Sequence, residues 1–317
     1  GGVGEQRHVL HAQELGELVA ADTAAFETLL PLLVENRQGR QGRFGFGLAK
    51  GTDDPAGMWR MLSAAFVSAS PSARSVQVLN GFLGGLNERD KPMFERLLDE
   101  ASADQALSEW LPLLQTSVKL DRRGCERLLL SLAQGKASIE MYQFLAYGSV
   151  TSELAETELA PLVRAIASQN GGVLVAMEIL AMYRYGEKVP FGPELASLAR
   201  AILPRVPLSR KNHQLDFSIS LLVRKFMIGP DAEAAARALL KNIRSVIDDH
   251  SLSLYDCDDV IAALFAVQPL AALDELIGDV ADQELRSLAL RDNDSEVQKS
   301  PLAQVPVETL IGWCRAG

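Results

Sequence analysis

The chain has 317 residues, 48% of them hydrophobic and 23% charged, with a formal net charge of −10 at pH 7. This acidic balance argues against a surface built as a whole to follow a phosphate backbone, because that task requires a net basic footprint. The most apolar stretch, residues 171–185, contains Glu178 and Arg184 and is shorter than the roughly 20 apolar residues of a membrane-spanning helix, so we expect no membrane segment.

Helical periodicity runs through most of the chain. Apolar residues recur at i, i+3 and i+4, as at Leu15, Leu18 and Val19, and strict alternation is nearly absent. Only 6% of the residues are aromatic, whereas Ala, Leu, Glu and Arg are used heavily, and these side chains, which are not branched at Cβ, favour helices. The sequence therefore predicts an all-α fold.

Capping chemistry marks where the helices begin and end. Helix starts are predicted where a capping residue or a glycine precedes proline, namely at Asp53-Asp54-Pro55, Ser70-Pro71, Gly229-Pro230-Asp231 and Ser300-Pro301. Helix ends are predicted at glycines that follow apolar runs, namely Gly135, Gly148, Gly186 and Gly278. These signals recur every ~15–20 residues, a spacing typical of paired helices of three to four turns.

One segment of the chain nearly repeats itself. The sequence Glu158-Leu-Ala-Pro-Leu-Val-Arg-Ala-Ile166 returns 36 residues later as Glu194-Leu-Ala-Ser-Leu-Ala-Arg-Ala-Ile202, with seven of nine positions identical. Self-similarity at such a period is typical of stacked repeats, in which one helix pair cannot bury its apolar face alone. The sequence predicts an α-solenoid of stacked antiparallel helix pairs with about seven to eight degenerate repeats. We expect residues 1–317 to form a single elongated domain with a sub-division near residues 148–153.

A second repeated signature is a proline near the start of an apolar helix. It occurs as Leu30-Pro31-Leu32-Leu33, Leu111-Pro112-Leu113-Leu114 and Ala160-Pro161-Leu162-Val163. In units of about forty residues, this turn resembles that of the HEAT family of helical repeats, over residues 24–50 and 105–280. The resemblance implies stacked helix pairs that present a surface to a partner. The aspartate and the valine-arginine pair that HEAT units usually carry are not found at residues 171–174.

The degenerate repeats also resemble the helical-repeat sensor or scaffold regions of large bacterial multidomain proteins, including signal-transducing NTPases. The chain opens with Gly-Gly-Val-Gly and stops just after a helix-like run at residues 307–317. We therefore expect it to be a fragment of a longer protein.

The glycine-rich basic segment at residues 37–51 is the first candidate binding site. Its glycines free backbone N–H groups, and Arg37, Arg40, Arg43 and Lys50 carry the charge to pair with phosphate oxygens. It is not a P-loop, because the lysine precedes the glycine and no predicted strand leads into the segment. A flexible turn between helices that leads into a weak helix is the favoured interpretation.

A second basic cluster lies against the acidic background of the chain. It contains Arg200, Arg205, Arg210, Lys211, His213, Arg224 and Lys225. Prolines 204 and 207 place Arg205 and Arg210 near a loop between helices, and loops on one face are where solenoids often bind, so Arg205, Arg210 and Lys211 are candidate binding residues. The alternatives are a docking patch and a solvated loop, of which the solvated loop is favoured.

The acidic run from Asp248 to Asp259 is the candidate metal site. It lacks the alternating ligands, central glycine and terminal glutamate of a calcium loop, and zinc rarely selects so many carboxylates with one cysteine. An acid-rich helix start is favoured, so we predict no metal and no cofactor. Cys125, Cys257 and Cys314 form no Cys-x-x-Cys pair, which indicates a reduced, cytoplasmic protein.

These patterns favour a non-enzymatic interaction module over a catalyst. No ordered nucleophile motif accompanies the Ser, His and Asp residues, so no catalytic residue is assigned. We expect the chain to bind a protein or peptide partner, as a scaffold or sensor region, and we do not expect a membrane or a small molecule as its ligand. The alternatives are binding of a nucleic-acid backbone through residues 37–50 and 200–225, and an enzyme assembled on a helical scaffold.

Overall fold

The structure is a computed structural model that describes residues 2–35, 40–186, 191–209, 215–278 and 300–316, with side chains from residue 11 onward apart from residues 254 and 255. Every regular element in these ranges is an α-helix or a 3₁₀-helix, which confirms the predicted all-α class. None of the described helices is long and apolar enough to cross a membrane. The chain divides into two compact units, unit 1 (Gly1–Leu154) and unit 2 (Ala155–Gly317).

Unit 1 is built from helices joined by short turns. Its α-helices are α1 (Gly2–Ala20), α2 (Thr23–Glu35), α3 (Gln41–Gly51), α4 (Pro55–Ser68), α5 (Gln77–Arg89), α6 (Lys91–Ala103), α7 (Leu111–Leu114) and α8 (Arg122–Gln134). Short 3₁₀-helices, Ser108–Trp110 and Gln115–Ser117, flank α7, and a longer one, Ile139–Ala146, follows α8.

The helices of unit 1 pack mainly against the helix that comes two places later in the chain. Helix α3 lies between α1 and α5, α5 also contacts α7, and α2 packs against α4. The apolar core between them contains the stacked rings of Trp59 and Phe82, whose centroids are 6.1 Å apart. Phe66 and Trp110 meet edge to face at 5.4 Å. These aromatic contacts help to fix α5, which carries part of the site described below.

The described part of the glycine-rich segment contains helix α3, in agreement with the helix expected after the turn, and residues 37–39 lie outside the described residues. Residues 41–51 are helical although glycine costs about 1 kcal/mol relative to alanine inside a helix. The reason is close packing, because a side chain at Gly45 would overlap the carbonyl oxygen of Val78 on α5 and one at Gly47 would overlap that of Gln13 on α1. Tertiary contacts therefore override the local propensity.

Most of the predicted helix boundaries are confirmed, with one clear exception. Asp54 caps α4 by accepting a hydrogen bond from the Gly57 amide at 2.8 Å, and Gly135 ends α8 in the left-handed conformation. The start predicted at Ser70-Pro71 is wrong. There the chain forms a turn that completes the end of α4, and Arg74 donates to the carbonyl oxygen of Ala69 at 3.1 Å.

Unit 2 continues the helical pattern. Its α-helices are α9 (Glu156–Ala167), α10 (Gly172–Met182), α11 (Pro193–Ile202), α12 (Leu215–Phe226), α13 (Glu233–Asp248), α14 (Asp258–Val267), α15 (Pro269–Leu276) and α16 (Val307–Ala316). Helices α9, α11, α13 and α15 form one series of successive contacts, and α10, α12 and α14 form another.

The repeated sequence occupies equivalent places on α9 and α11. Leu159 and its counterpart Leu195 are both buried, as are Ile166 and its counterpart Ile202. The conserved spacing of the two copies therefore reflects the same inward-facing positions on two neighbouring helices.

Polar contacts in unit 2 also connect positions that are 36 to 41 residues apart. They are the bonds from Arg205 to the Ala167 carbonyl (3.3 Å), from Asn242 to the Val206 carbonyl (2.9 Å) and from Gln268 to the Met227 carbonyl (2.9 Å). Each bond satisfies a backbone carbonyl at or just beyond a helix end, a group that the helix itself leaves without a partner.

Candidate functional site

The candidate functional site is an open groove of about 540 Å³ on unit 1, which we call the α5 groove. Its walls come from α3, from α5 and from the segment that follows α7. The lining residues are Gly42, Arg43, Phe46, Gln77, Asn80, Gly81, Gly84, Asn87, Glu88, Thr116, Ser117, Val118 and Lys119.

The close packing of α3 against α5 shapes the groove. The two helices run parallel, since Gly42 near the start of α3 lies against Gly81, and Arg89 at the end of α5 donates to the Ala49 and Thr52 carbonyls at 3.0 and 2.5 Å. The lining positions of α5 recur at three- and four-residue spacings, so they share one face of that helix. Small residues on this face leave the groove open.

The floor of the groove is polar. Asn80 on α5 donates through Nδ2 to Thr116 Oγ1 at 3.4 Å, and the Thr116 hydroxyl donates to the Leu113 carbonyl at 2.7 Å, which fixes the orientation of the asparagine amide. Asn80 Oδ1 and Ser117 Oγ are shielded from solvent and have no hydrogen-bond partner among the described residues. Such groups cost about 1–3 kcal/mol each, so the floor is not optimised for stability alone.

Both cationic and anionic side chains lie at the groove. Lys50 pairs with Glu88 at 2.9 Å and lies 5.4 Å above the ring of Phe46, while the Lys119 ammonium donates to the Ser149 carbonyl at 2.7 Å. Arg43 is exposed and makes no ion pair within the part of the chain that the structure describes. It is therefore the groove cation with the greatest capacity for a ligand.

The structure brings together some of the residues that the sequence singled out. Arg43 and Lys50 lie on α3, where Arg43 lines the α5 groove and Lys50 reaches Glu88 at its edge. Arg40 is exposed at the start of α3 and is not among the residues that line the groove. Arg37, Arg210 and Lys211 lie outside the described residues. The prediction that these residues bind a ligand stays a prediction.

The second basic cluster contributes to the internal contacts of unit 2. Arg205 holds the end of α9 through the Ala167 carbonyl, and Arg200 donates to the Phe226 carbonyl at 2.8 Å. Lys225 lies 5.0 Å above the ring of Phe191, and burial lowers the pKa of its ammonium. These cations therefore have structural roles whether or not a partner also contacts them.

Sequence reasoning did not find the amide and hydroxyl residues of the groove. Gln77, Asn80 and Asn87 are polar residues on a helix, which in sequence are indistinguishable from an ordinary solvated face. One signal was available, since Asn80 and Thr116 are 36 residues apart, the same period as the repeat in unit 2. Extending that period into unit 1 would have placed the two residues side by side.

The acidic run of unit 2 ends in the first turn of α14, where Asp258 and Asp259 form the predicted acid-rich helix start. Asp216 on α12 accepts hydrogen bonds from the backbone amides of Asp259 at 3.0 Å and Val260 at 3.1 Å, at the first turn of α14. Burial raises the pKa of Asp216 to about 6, against the lowering effect of those two hydrogen bonds. Burial likewise raises the pKa of Cys257 to about 12. Among the described residues no three His, Cys, Asp or Glu side chains are grouped so that they could hold a metal ion.

Comparison with models of protein families, with curated proteins and with solved structures found no match for this chain. The geometry of the molecule is therefore the basis for its functional assignment.

Proposed function

We propose that this chain is a non-enzymatic, HEAT-like helical-repeat interaction module that binds an extended peptide segment of a partner protein in the α5 groove. The observation that supports it best is the groove itself, an open channel with a polar floor built on α3, α5 and the segment that follows α7. Extended surfaces made by neighbouring repeats are the binding surfaces of solenoids.

The repeat architecture is supported by spacing. The two series of helix contacts in unit 2, and the hydrogen bonds between residues 36 to 41 apart, are what a stack of helix pairs would produce. In unit 1, α3 and α5 also begin 36 residues apart, at Gln41 and Gln77. The same period in both units favours one repeat type throughout.

The dimensions and chemistry of the groove favour a peptide. Gln77 and Asn87 lie ten positions apart on α5, or about 15 Å along the helix. That length matches about four to five residues of an extended strand, which rises about 3.3 Å per residue. Side-chain amides offer both donors and acceptors, as the N–H and C=O groups of a peptide backbone require.

Charge disfavours the nucleic-acid alternative at this site. A backbone of regularly spaced phosphates requires several free cations in a row. The described lining contains Arg43 and Lys119 as its cations, and the carboxylate of Glu88 stands among them.

The test is selection of peptides from a random library on the immobilised chain, followed by measurement of the dissociation constants of synthetic peptides by fluorescence anisotropy. The Gln77→Ala, Asn87→Ala double variant removes two amides that line the groove, and we expect it to weaken binding about tenfold if two hydrogen bonds of about 0.5–1.5 kcal/mol are lost. Gln105→Ala is the matched control, because Gln105 is an exposed amide of unit 1 outside the groove. Failure to select any peptide, or equal binding by the double variant, would refute the proposal.

A further inference from the structure

We propose that the α5 groove selects peptides that carry an acidic side chain, and that Arg43 is the residue that binds this side chain. This inference rests on the proposed function, because it assigns the chemistry of the same ligand. It concerns the end of the groove at which the acidic side chain lies and the kind of peptide that is selected.

The first argument is the distribution of charge. The chain as a whole carries −10, yet the described lining of the groove contains two cations and one carboxylate. That carboxylate, Glu88, is held by Lys50 at 2.9 Å. Because the groove has no other acid in its described lining, its Arg43 end is positive on an otherwise negative molecule.

The second argument is that each charged group other than Arg43 already has a partner. Lys119 donates to the Ser149 carbonyl and to Ser152 Oγ at 2.7 and 2.9 Å, whereas Arg43 has no hydrogen bond or ion pair to another described residue. A guanidinium can bind a carboxylate through two parallel N–H···O bonds, a geometry that an ammonium lacks. Arg43 is therefore the specific contact, and Lys119 adds general charge.

The third argument is the unfavourable position of the Arg43 charge within its helix. It lies in the first turn of α3, where a cation is unfavourable because the helix dipole is positive at its start. Neither α3 nor α5 has an acidic residue in its first turn, and the two helices start at the same end of the groove. A ligand carboxylate at this end would meet both the arginine and the positive ends of the two helices.

The experiment compares the residues enriched by selection on the wild-type chain and on Arg43→Glu. We expect Asp or Glu at one fixed position of the wild-type peptides, and Lys or Arg at that position with the variant. Arg60→Glu is the matched control, since Arg60 is an exposed residue of α4 outside the groove and its replacement changes the net charge equally. We expect selection on this control to give acidic peptides, as on the wild type.

Affinities give the quantitative test. Arg43→Gln should weaken the binding of an acidic peptide about tenfold, which corresponds to the loss of a charge-assisted hydrogen bond. Arg43→Glu should weaken it further, and exchange of the peptide acid for lysine should restore binding to Arg43→Glu only. The Arg43→Glu chain should fold normally, because a glutamate in a first helical turn favours the helix, and circular dichroism checks this.

The outcomes separate the two proposals. Selected peptides whose binding depends on Gln77 and Asn87, but which show no preference for Asp or Glu, would overturn the role of Arg43. They would leave the proposal of a peptide-binding groove intact. Absence of any selected peptide would overturn both. Salt-sensitive binding of a single-stranded oligonucleotide, lost in Arg43→Glu while no peptide binds, would also overturn both in favour of a nucleic-acid ligand.

Discussion

At the scale of single residues, Arg127 on α8 shows how unit 1 accommodates a buried charge. Its side chain is nearly inaccessible, and it donates to Asp99 at 2.6 Å, to the Glu95 carbonyl at 3.2 Å and to the Glu95 carboxylate. Burial would raise the pKa of Asp99, but the hydrogen bonds and charges of Arg127 and Arg123 hold it below its usual value. The network links α6 to α8.

Replacement of Arg127 by alanine should therefore be costly. It leaves the carboxylate of Glu95 buried without its main partner, and breaking a buried pair in this way typically costs about 3–5 kcal/mol. Arg122→Ala on the same helix is the control, because Arg122 is 79% exposed and its pair with Glu126 is worth at most about 0.5 kcal/mol. Urea denaturation of both variants checks the difference, and a loss below 1 kcal/mol for Arg127→Ala would contradict it.

Asp216 gives unit 2 a pH-dependent contribution to stability. Its pKa is about 6 in the folded chain against 3.8 as the reference, so the folded state holds the proton more tightly. The stabilisation from this residue is present below pH 3.8 and is lost as the pH rises through 6. We expect the free energy of unfolding of Asp216→Asn, relative to that of the wild type, to increase by on the order of 1–2 kcal/mol between pH 4 and pH 7. Urea denaturation at the two pH values tests this, and a difference that does not change with pH would contradict it.

The residue scale is also where sequence reasoning was weakest. The arginines at 40 and 43 could be singled out because charge against an acidic background is visible in a sequence. Gln77 and Asn87 could not, because an amide on an exposed helix face carries no signal until a second helix places a wall beside it. A groove is a property of neighbouring helices, and one helix alone does not encode it.

At the scale of helices, the sequence predicted helix boundaries well where the capping residue and the group that it caps are close together in the chain. Asp54 caps α4 as expected, since an aspartate oxygen needs only an amide three residues away. The close packing of the glycine-rich segment was not predicted, because its glycines contact distant helices, α1 and α5, which the sequence does not place nearby. Helix propensity is a weak guide where backbones approach this closely.

Helix α5 offers a matched pair of glycines that tests this packing. At Gly81 a methyl group would overlap the Gly42 carbonyl oxygen, which belongs to a backbone that cannot yield easily, so Gly81→Ala should cost about 3 kcal/mol. At Gly84 the nearest atom would be the Ser117 carbonyl oxygen at 3.3 Å, and the gain of about 1 kcal/mol in helix propensity should offset the crowding. Thermal unfolding separates the two cases, and equal melting temperatures would show that α3 and α5 do not approach as described.

At the scale of the whole molecule, composition and period were the informative features of the sequence. The all-α class followed from apolar spacing, because that spacing is set by the helix itself. The period of 36 residues found in unit 2 recurs in the starts of α3 and α5, where the identities at that spacing are few, namely Gln41 with Gln77, Gly45 with Gly81 and Phe46 with Phe82. Degenerate repeats keep the positions of buried residues and lose their identities, since any apolar side chain of similar size can fill a core position.

Unit 1 contains all that the proposed binding site needs. The lining of the α5 groove comes from residues 42–119, and the apolar core beneath it from residues 19–114, all within Gly1–Leu154. A fragment of residues 1–154 should therefore fold cooperatively, and it should bind a selected peptide within about threefold of the affinity of the full chain, a difference of less than about 0.7 kcal/mol. Chemical denaturation and fluorescence anisotropy measure the two properties. A folded fragment that has lost the peptide would show that unit 2 takes part in recognition, and the binding site would then have to include residues beyond the α5 groove.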